Sequence, residues 1–94
     1  MTSLQLDAVL DLKAAGPLKV ALLEHRGEAL EVDASQVQRL GGLCLQLLLA
    51  ARRSWAEDGQ PLSITPRSRA FDDALGLFGA ADRFTIADLD GAAA

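Results

Sequence analysis

The stretch "LEVDASQVQRLGGLCLQLLLAARRSWAEDGQPLSI", residues 30–64, decides how this chain folds. Apolar residues recur at helical spacing over residues 43–58 and Gly59 follows them, so the pattern predicts an amphipathic helix that stops at this glycine. The predicted buried face consists of Leu43, Leu47, Leu48, Ala51 and Trp55, and it is widened by Cys44, Leu45 and Leu49. The first half of this helix is expected to lie largely in the core.

Shorter extended runs lie on both sides of this helix. The runs "EALEVDA", residues 28–34, and "LSIT", residues 62–65, each predict a strand. Residues 35–42 are polar and rich in glycine, so they predict a loop between the first strand and the helix. Further upstream, "LQLDAVLDL", residues 4–12, alternates apolar and polar side chains, which predicts one bent strand or a pair of strands.

Two more helices and a last strand complete the pattern. Residues 13–27 predict an amphipathic helix with Pro17 in its first turn and Gly27 beyond its end. Ser68 is the expected N-cap of a third helix. Its apolar residues at helical spacing are Phe71, Ala74, Leu75 and Phe78. Residues 83–89 predict a final edge strand.

Alternating strands and helices predict the fold class and the domain organisation. The expected fold is α/β, a small mixed sheet of four to five strands with helices packed on it. At 94 residues the chain has the length of one domain, which we place at residues 1–90, followed by a flexible tail at residues 91–94.

Composition narrows the classes of partner and the compartment. Nine basic and thirteen acidic residues give a net charge of −4, and only 4% of residues are aromatic, so nucleic acid is a poor partner. A single cysteine and the lack of a secretory segment predict the cytoplasm. The longest apolar run, residues 47–51, is far shorter than the roughly 20 residues that span a bilayer, so no direct membrane insertion is expected.

Catalytic and metal-binding chemistry is sparse in this sequence. With one histidine, His25, no paired cysteines and no phosphate-binding loop, we expect no metal, no cofactor and no catalytic residues. A dyad of His25 with Cys44 is the remaining enzymatic alternative, but Cys44 is expected to be a buried apolar residue and His25 a partly exposed helix residue. We therefore predict that the protein is not an enzyme.

Three further candidates are interpreted as structural. Asp72 and Asp73 are consecutive, so they do not face each other on a helix, and Arg69 is expected to form a surface ion pair with Asp73. Trp55 is expected to pack in the core, with a role as a partner hot spot as the alternative.

Residues 30–64 also resemble the STAS domain, the anti-anti-sigma factor family. The resemblance rests first on Asp33-Ala34-Ser35 at the end of a predicted strand, because the family has an Asp-x-Ser signature at that place. The resemblance extends over residues 4–79, and "CLQLLLAARRSW", residues 44–55, is similar to a subgroup found in bacterial chemotaxis gene clusters. The family has an Asp-Ser or Asp-Thr pair at the start of the second helix, and this pair falls on Gly41 and Gly42.

In family members a partner kinase phosphorylates that serine or threonine, and the added charge releases the bound partner. Gly42 is therefore a degenerate phosphoacceptor position, because glycine has no hydroxyl. We interpret the two glycines as keeping the turn and the exposed amides at the helix start, because glycine accepts positive φ and close backbone approach, while the switch is lost. The alternative is that they serve only the turn. The expected partner-binding loop consists of Asp33, Ser35, Gln36, Gln38, Arg39, Gly41 and Gly42. Ser35 is expected to brace this loop.

The resemblance implies a function as a protein-protein interaction module in bacterial signalling, in chemotaxis or in anti-sigma or kinase-linked regulation. The expected partner is a histidine kinase, an anti-sigma factor or another signalling protein. The alternative is a cytoplasmic STAS subunit of a membrane lipid-transport ATPase. Under the first reading the loop binds its partner without phosphate control.

Overall fold

The computed structural model describes residues 2–79, which form five strands and three helices. The strands are β1 (Thr2–Gln5), β2 (Val9–Leu10), β3 (Leu30–Ala34), β4 (Arg39–Leu40) and β5 (Leu62–Arg67). The helices are α1 (Leu12–Glu24), α2 (Gly42–Glu57) and α3 (Arg69–Leu77). The α/β fold class is confirmed. The strand expected at residues 83–89 and the tail expected at residues 91–94 lie outside the described residues.

The described strands form two small parallel sheets. One has the order β1-β3-β5, with Leu30 of the central strand aligned with Thr2 on one side and Leu62 on the other. The second pairs β2 with β4, Val9 opposite Arg39. The stretch predicted as one bent strand or two is therefore two strands, which belong to different sheets. All strand pairings between described residues are parallel.

The core forms where the helices cover the central strand. Its buried apolar residues are Leu6, Leu10, Ala15, Leu18, Leu22, Leu30, Val32, Ala34, Val37, Leu40, Cys44, Leu45, Leu48, Ala51, Trp55, Leu62, Ile64, Phe71 and Leu75. The inward residues of β3 recur every second position, which is why the "LEVDA" pattern predicted this strand correctly. Within residues 2–79, the core contains no buried polar or charged residue.

Helix α2 largely follows its apolar pattern, with one correction. Cys44, Leu45, Leu48, Ala51 and Trp55 are buried, whereas Leu43, expected on the buried face, is 49% exposed. Leu43 lies in the first turn, and the buried face begins with its neighbour Cys44. The predicted stop is confirmed, because Gly59 has φ +70°, a conformation that glycine adopts without strain.

Helix α1 starts earlier than the sequence predicted. The carboxylate of Asp11 accepts a hydrogen bond from the Ala14 amide at 3.1 Å and caps a helix that begins at Leu12. Pro17 consequently lies inside the helix and not in its first turn, so the expectation for this residue was wrong. Gly27 does follow the helix end, with φ +90°.

Helix α3 confirms the predicted N-cap. The hydroxyl of Ser68 accepts a hydrogen bond from the Phe71 amide at 3.0 Å. Phe71 and Leu75 are buried, while Phe78, expected on the apolar face, is the C-cap and is about half exposed. The ion pair of Arg69 with Asp73 is present at 3.8 Å between two largely exposed side chains, as expected for a surface pair.

Candidate functional site

The segment that carries the candidate site, residues 33–42, is more ordered than the predicted loop. Val37 and Leu40 are buried, and Arg39 and Leu40 form β4 against β2. The amides of Gln38 and Arg39 both donate to the carbonyl of Ala8, at 2.7 and 3.1 Å. Two apolar anchors and these hydrogen bonds therefore hold what we call the 33–42 segment, and the two-residue strand β4 interrupts the predicted loop.

Asp33 and Ser35 brace the start of the 33–42 segment. The Ser35 amide donates to the Asp33 carboxylate at 2.8 Å. Hydrogen bonds from the Ser35 hydroxyl and amide lower the pKa of Asp33, because they stabilise its charged form. This is the local turn in which an aspartate side chain accepts from the residue two positions further on. Ser35 takes part in this turn through its amide.

Gly41 is the N-cap of α2, and its surroundings explain the absence of a side chain. Its φ of −85° and ψ of 163° are available to any residue, so the suggestion of positive φ is wrong. Its amide donates to the Leu10 carbonyl at 2.8 Å. A Cβ atom added to Gly41 would lie 3.0 Å from the same oxygen. Close backbone approach between β2 and the start of α2 therefore favours glycine at this position, because a Cβ atom would need the Leu10 carbonyl to move by a few tenths of an ångström.

Gly42 has a different environment from its neighbour. It is the first residue of α2 and is exposed. A Cβ atom added here would meet only the ring of Phe78, at 3.8 and 4.0 Å, which is ordinary van der Waals contact. Residue 42 therefore has room for a Cβ atom, whereas at residue 41 a Cβ atom would crowd the Leu10 carbonyl.

The remaining residues of the expected loop point towards solvent. Gln36, Gln38 and Arg39 are exposed, while Ser35 and Asp33 are half-buried. The 33–42 segment thus presents a rim of polar side chains, and its backbone is held in place by pairing with β2 and by hydrogen bonds to the Ala8 carbonyl. Such a surface can bind a partner without disturbing the core.

Exposed apolar side chains extend this rim, and the sequence analysis did not include them in the site. Val9 lies opposite Arg39 in the β2-β4 pair and is 44% exposed, Leu12 is 77% exposed and Leu43 is 49% exposed. The thiol of Cys44 donates to the Asp11 carbonyl at 3.4 Å, which places the starts of α1 and α2 side by side. Both helices therefore contribute one exposed leucine from their first turns. The sequence pattern had assigned Leu43 to a buried helix face and had included Leu12 in the strand-like stretch at residues 4–12.

The residues considered for catalysis have separate partners. Cys44 is buried, and burial together with the charge of Asp11 raises the pKa of its thiol. His25 instead contacts Glu28, with 3.3 Å between Nδ1 and Oε1. No hydrogen bond between described residues joins His25 to Cys44, so the dyad is not formed. Within residues 2–79 no cluster of three or more His, Cys, Asp or Glu side chains could hold a metal ion.

Trp55 is a core residue, as predicted. It is 2% exposed, and its indole Nε1 donates to the carbonyl of Glu28 at 2.8 Å. This bond joins the last turns of α2 to the segment that enters β3. The described helices include none that is long and apolar enough to cross a membrane.

A family model described as "Mlab, STAS domain" matches residues 1–89, nearly the whole chain. No curated protein matches the chain.

Proposed function

Because the chain belongs to the STAS domain family, we propose that it is a non-enzymatic protein-binding module whose partner docks on the 33–42 segment. STAS domains generally mediate protein-protein interactions, and the family supports a general signalling module of the anti-anti-sigma type. The observation that carries the proposal is the exposed polar rim around Arg39, which pairing of β4 with β2 holds in place, together with exposed Leu12 and Leu43 in the first turns of α1 and α2. An apolar patch with a polar rim is the usual composition of a protein interface.

The two glycines give this module a specific form of control. Gly42 has no hydroxyl that a kinase could modify, although the space for a side chain is present. A phosphate at this position would add a charge of roughly −1.5 to −2 to the docking surface. The module therefore remains in its binding-competent form, and regulation falls on its expression or on the partner.

The signalling circuit we favour is bacterial and cytoplasmic, with a histidine kinase, an anti-sigma factor or another signalling protein as partner. The similarity of residues 44–55 to STAS proteins of chemotaxis gene clusters supports a chemotaxis role. Catalysis is left out of the proposal because the Cys44 thiol is buried with a raised pKa, and His25 pairs with Glu28.

A second candidate is a STAS subunit of a membrane lipid-transport ATPase. The description of the matching family model names Mlab and not a chemotaxis protein, and this observation favours the second candidate. Both candidates use the same kind of docking surface. They differ in the class of protein that binds.

Affinity capture from the native lysate, with the captured proteins identified by mass spectrometry, tests the proposal. The variant Arg39→Glu reverses an exposed charge in the 33–42 segment, and Arg53→Glu is the matched control on the exposed side of α2. Arg53 lies eleven residues beyond Gly42, or about 16 Å along the helix axis. We expect Arg39→Glu to lose the partner and Arg53→Glu to retain it.

The identity of the captured protein decides between the candidates. A kinase or an anti-sigma factor supports the signalling role, whereas a transport ATPase supports the second candidate. Equal capture by wild type and Arg39→Glu would place the docking surface elsewhere and contradict the proposal.

A further inference from the structure

A groove runs between the later turns of α1 and α2, away from the 33–42 segment where both helices begin. It encloses about 140 Å³. Its lining residues are Lys19, Leu22, Leu23, Arg26, Leu47, Ala50, Ala51, Ser54 and Trp55. The small side chains of α2 in this set leave the space between the two helices open.

The groove is apolar and continues into exposed apolar surface. Leu23 at its edge is 56% exposed, and Val20, three residues earlier on α1, is 55% exposed. Residues three apart are neighbours on a helix surface, so these two side chains form one patch beside the groove. Exposed apolar patches next to a cleft are a typical feature of interaction sites.

The ionisable side chains that line the groove are basic, although the whole chain carries a net charge of −4. Among its lining residues only Lys19 and Arg26 are ionisable. Arg26 is already neutralised, because its guanidinium donates to the Asp58 carboxylate at 2.6 and 3.3 Å. Lys19 forms no ion pair within residues 2–79. Of the two basic side chains that line the groove, only the Lys19 ammonium is therefore available to pair with an acidic partner.

We propose that this groove binds an acidic amphipathic helix of a partner protein. Lys19 and Leu23 lie four residues apart on α1, which is about 6 Å along the helix axis. A helix lying along the groove would insert an aliphatic side chain beside Leu23 and would place a carboxylate one turn away, against Lys19. Grooves between helices commonly take amphipathic helices in this way.

A second copy of this chain fits the groove less well than a different protein. Symmetric self-association brings the same surface of two copies together. That arrangement would place two Lys19 side chains in one interface, and the groove lining itself contains no carboxylate to pair with them. The proposed site is independent of the 33–42 segment, so it goes beyond the proposed function.

The probe that tests the site is a synthetic helical peptide with leucines at helical spacing and glutamates flanking them. The control peptide has each glutamate replaced by lysine. Trp55 lines the groove and is the only tryptophan, so its fluorescence reports binding. We expect the acidic peptide to bind at least about tenfold more tightly than the basic one.

Variants assign this binding to the groove. We expect Lys19→Glu and Leu23→Asp each to weaken binding of the acidic peptide by about tenfold or more. Arg69→Glu, a charge reversal at an exposed residue of α3 outside the groove lining, should leave the affinity unchanged. Lys19 and Leu23 are both exposed, so the fold should persist, and circular dichroism checks it. If Leu23→Asp fails to fold, Lys19→Glu still tests the site.

Several outcomes would overturn the proposal. They are no detectable binding of the acidic peptide, equal binding of both peptides, or full affinity in both groove variants. Sedimentation that showed a wild-type dimer lost in Leu23→Asp would assign the groove to a second copy and would also overturn it.

Discussion

Alanine substitutions of the two adjacent glycines should have opposite effects on stability. The Cβ atom of Gly41→Ala would lie 3.0 Å from the Leu10 carbonyl oxygen. That oxygen cannot easily move, because it accepts the Gly41 amide at 2.8 Å and Leu10 pairs with Leu40 in the β2-β4 sheet. Overpacking of this kind destabilises by about 1 to 3 kcal/mol.

Gly42→Ala is the matched control, since its Cβ atom would make only ordinary contact with Phe78. Replacing a helical glycine by alanine stabilises by up to about 1 kcal/mol, and by less in the first turn. The two variants should therefore differ by about 2 kcal/mol, with Gly41→Ala the less stable. In a domain of this size, that difference is about 8 to 16 °C in Tm.

Urea unfolding followed by the fluorescence of buried Trp55 gives both free energies of unfolding. Circular dichroism melts give the Tm values independently. If Gly41→Ala were as stable as Gly42→Ala, the close approach of β2 to the start of α2 would not be the reason for glycine at residue 41.

Two further predictions concern Cys44 and the acid stability of the fold. Cys44 is 1% exposed and the pKa of its thiol is raised, so alkylation of this thiol should be slow in the native protein and fast in urea. Comparable rates under both conditions would show that the thiol is accessible in the folded state. The Arg26 guanidinium lowers the pKa of Asp58, so this pair stabilises the fold above the unfolded pKa near 3.8 and is lost as the pH falls through the lower folded value. Asp58→Asn should thus reduce stability near neutral pH and lose this effect in acid, as measured by urea unfolding across pH; a deficit that does not depend on pH would refute the linkage.

The elements that the sequence predicted correctly are those with strong local signals. Ser68 caps α3, Gly59 ends α2, and the "LEVDA" pattern forms the central strand. Each depends on neighbours within a few residues, so short-range physical chemistry was sufficient.

The errors arise where the local signal is ambiguous or absent. Leu43 belongs to a nearly continuous apolar run, and such a run does not define which residue starts the buried face. The prediction that Pro17 lies in the first turn of α1 failed because the N-cap is Asp11, six residues earlier, and the helix starts directly after it. Strand β4 has two residues, too few for any periodicity, and it depends on pairing with β2.

The reason for glycine at residue 41 was only partly accessible from the sequence. The resemblance placed Gly41 and Gly42 at the family's switch pair, and close backbone approach was one of two explanations. The contact that decides between them joins Gly41 to Leu10, thirty-one residues apart, and is therefore a tertiary fact. The same contact separates Gly41, where a side chain would be crowded, from Gly42, where a Cβ atom would make ordinary contact.

The most direct measurement of docking without a phosphate switch is the affinity of Gly42→Asp for the partner that wild type captures, determined by isothermal titration calorimetry. Gly16→Asp is the control, because Gly16 is an exposed helical glycine whose added Cβ atom would meet nothing within 4 Å. A negative charge at residue 42 is expected to weaken binding by about tenfold or more, with Gly16→Asp close to wild type. Equal affinities for wild type and Gly42→Asp would contradict docking at the start of α2.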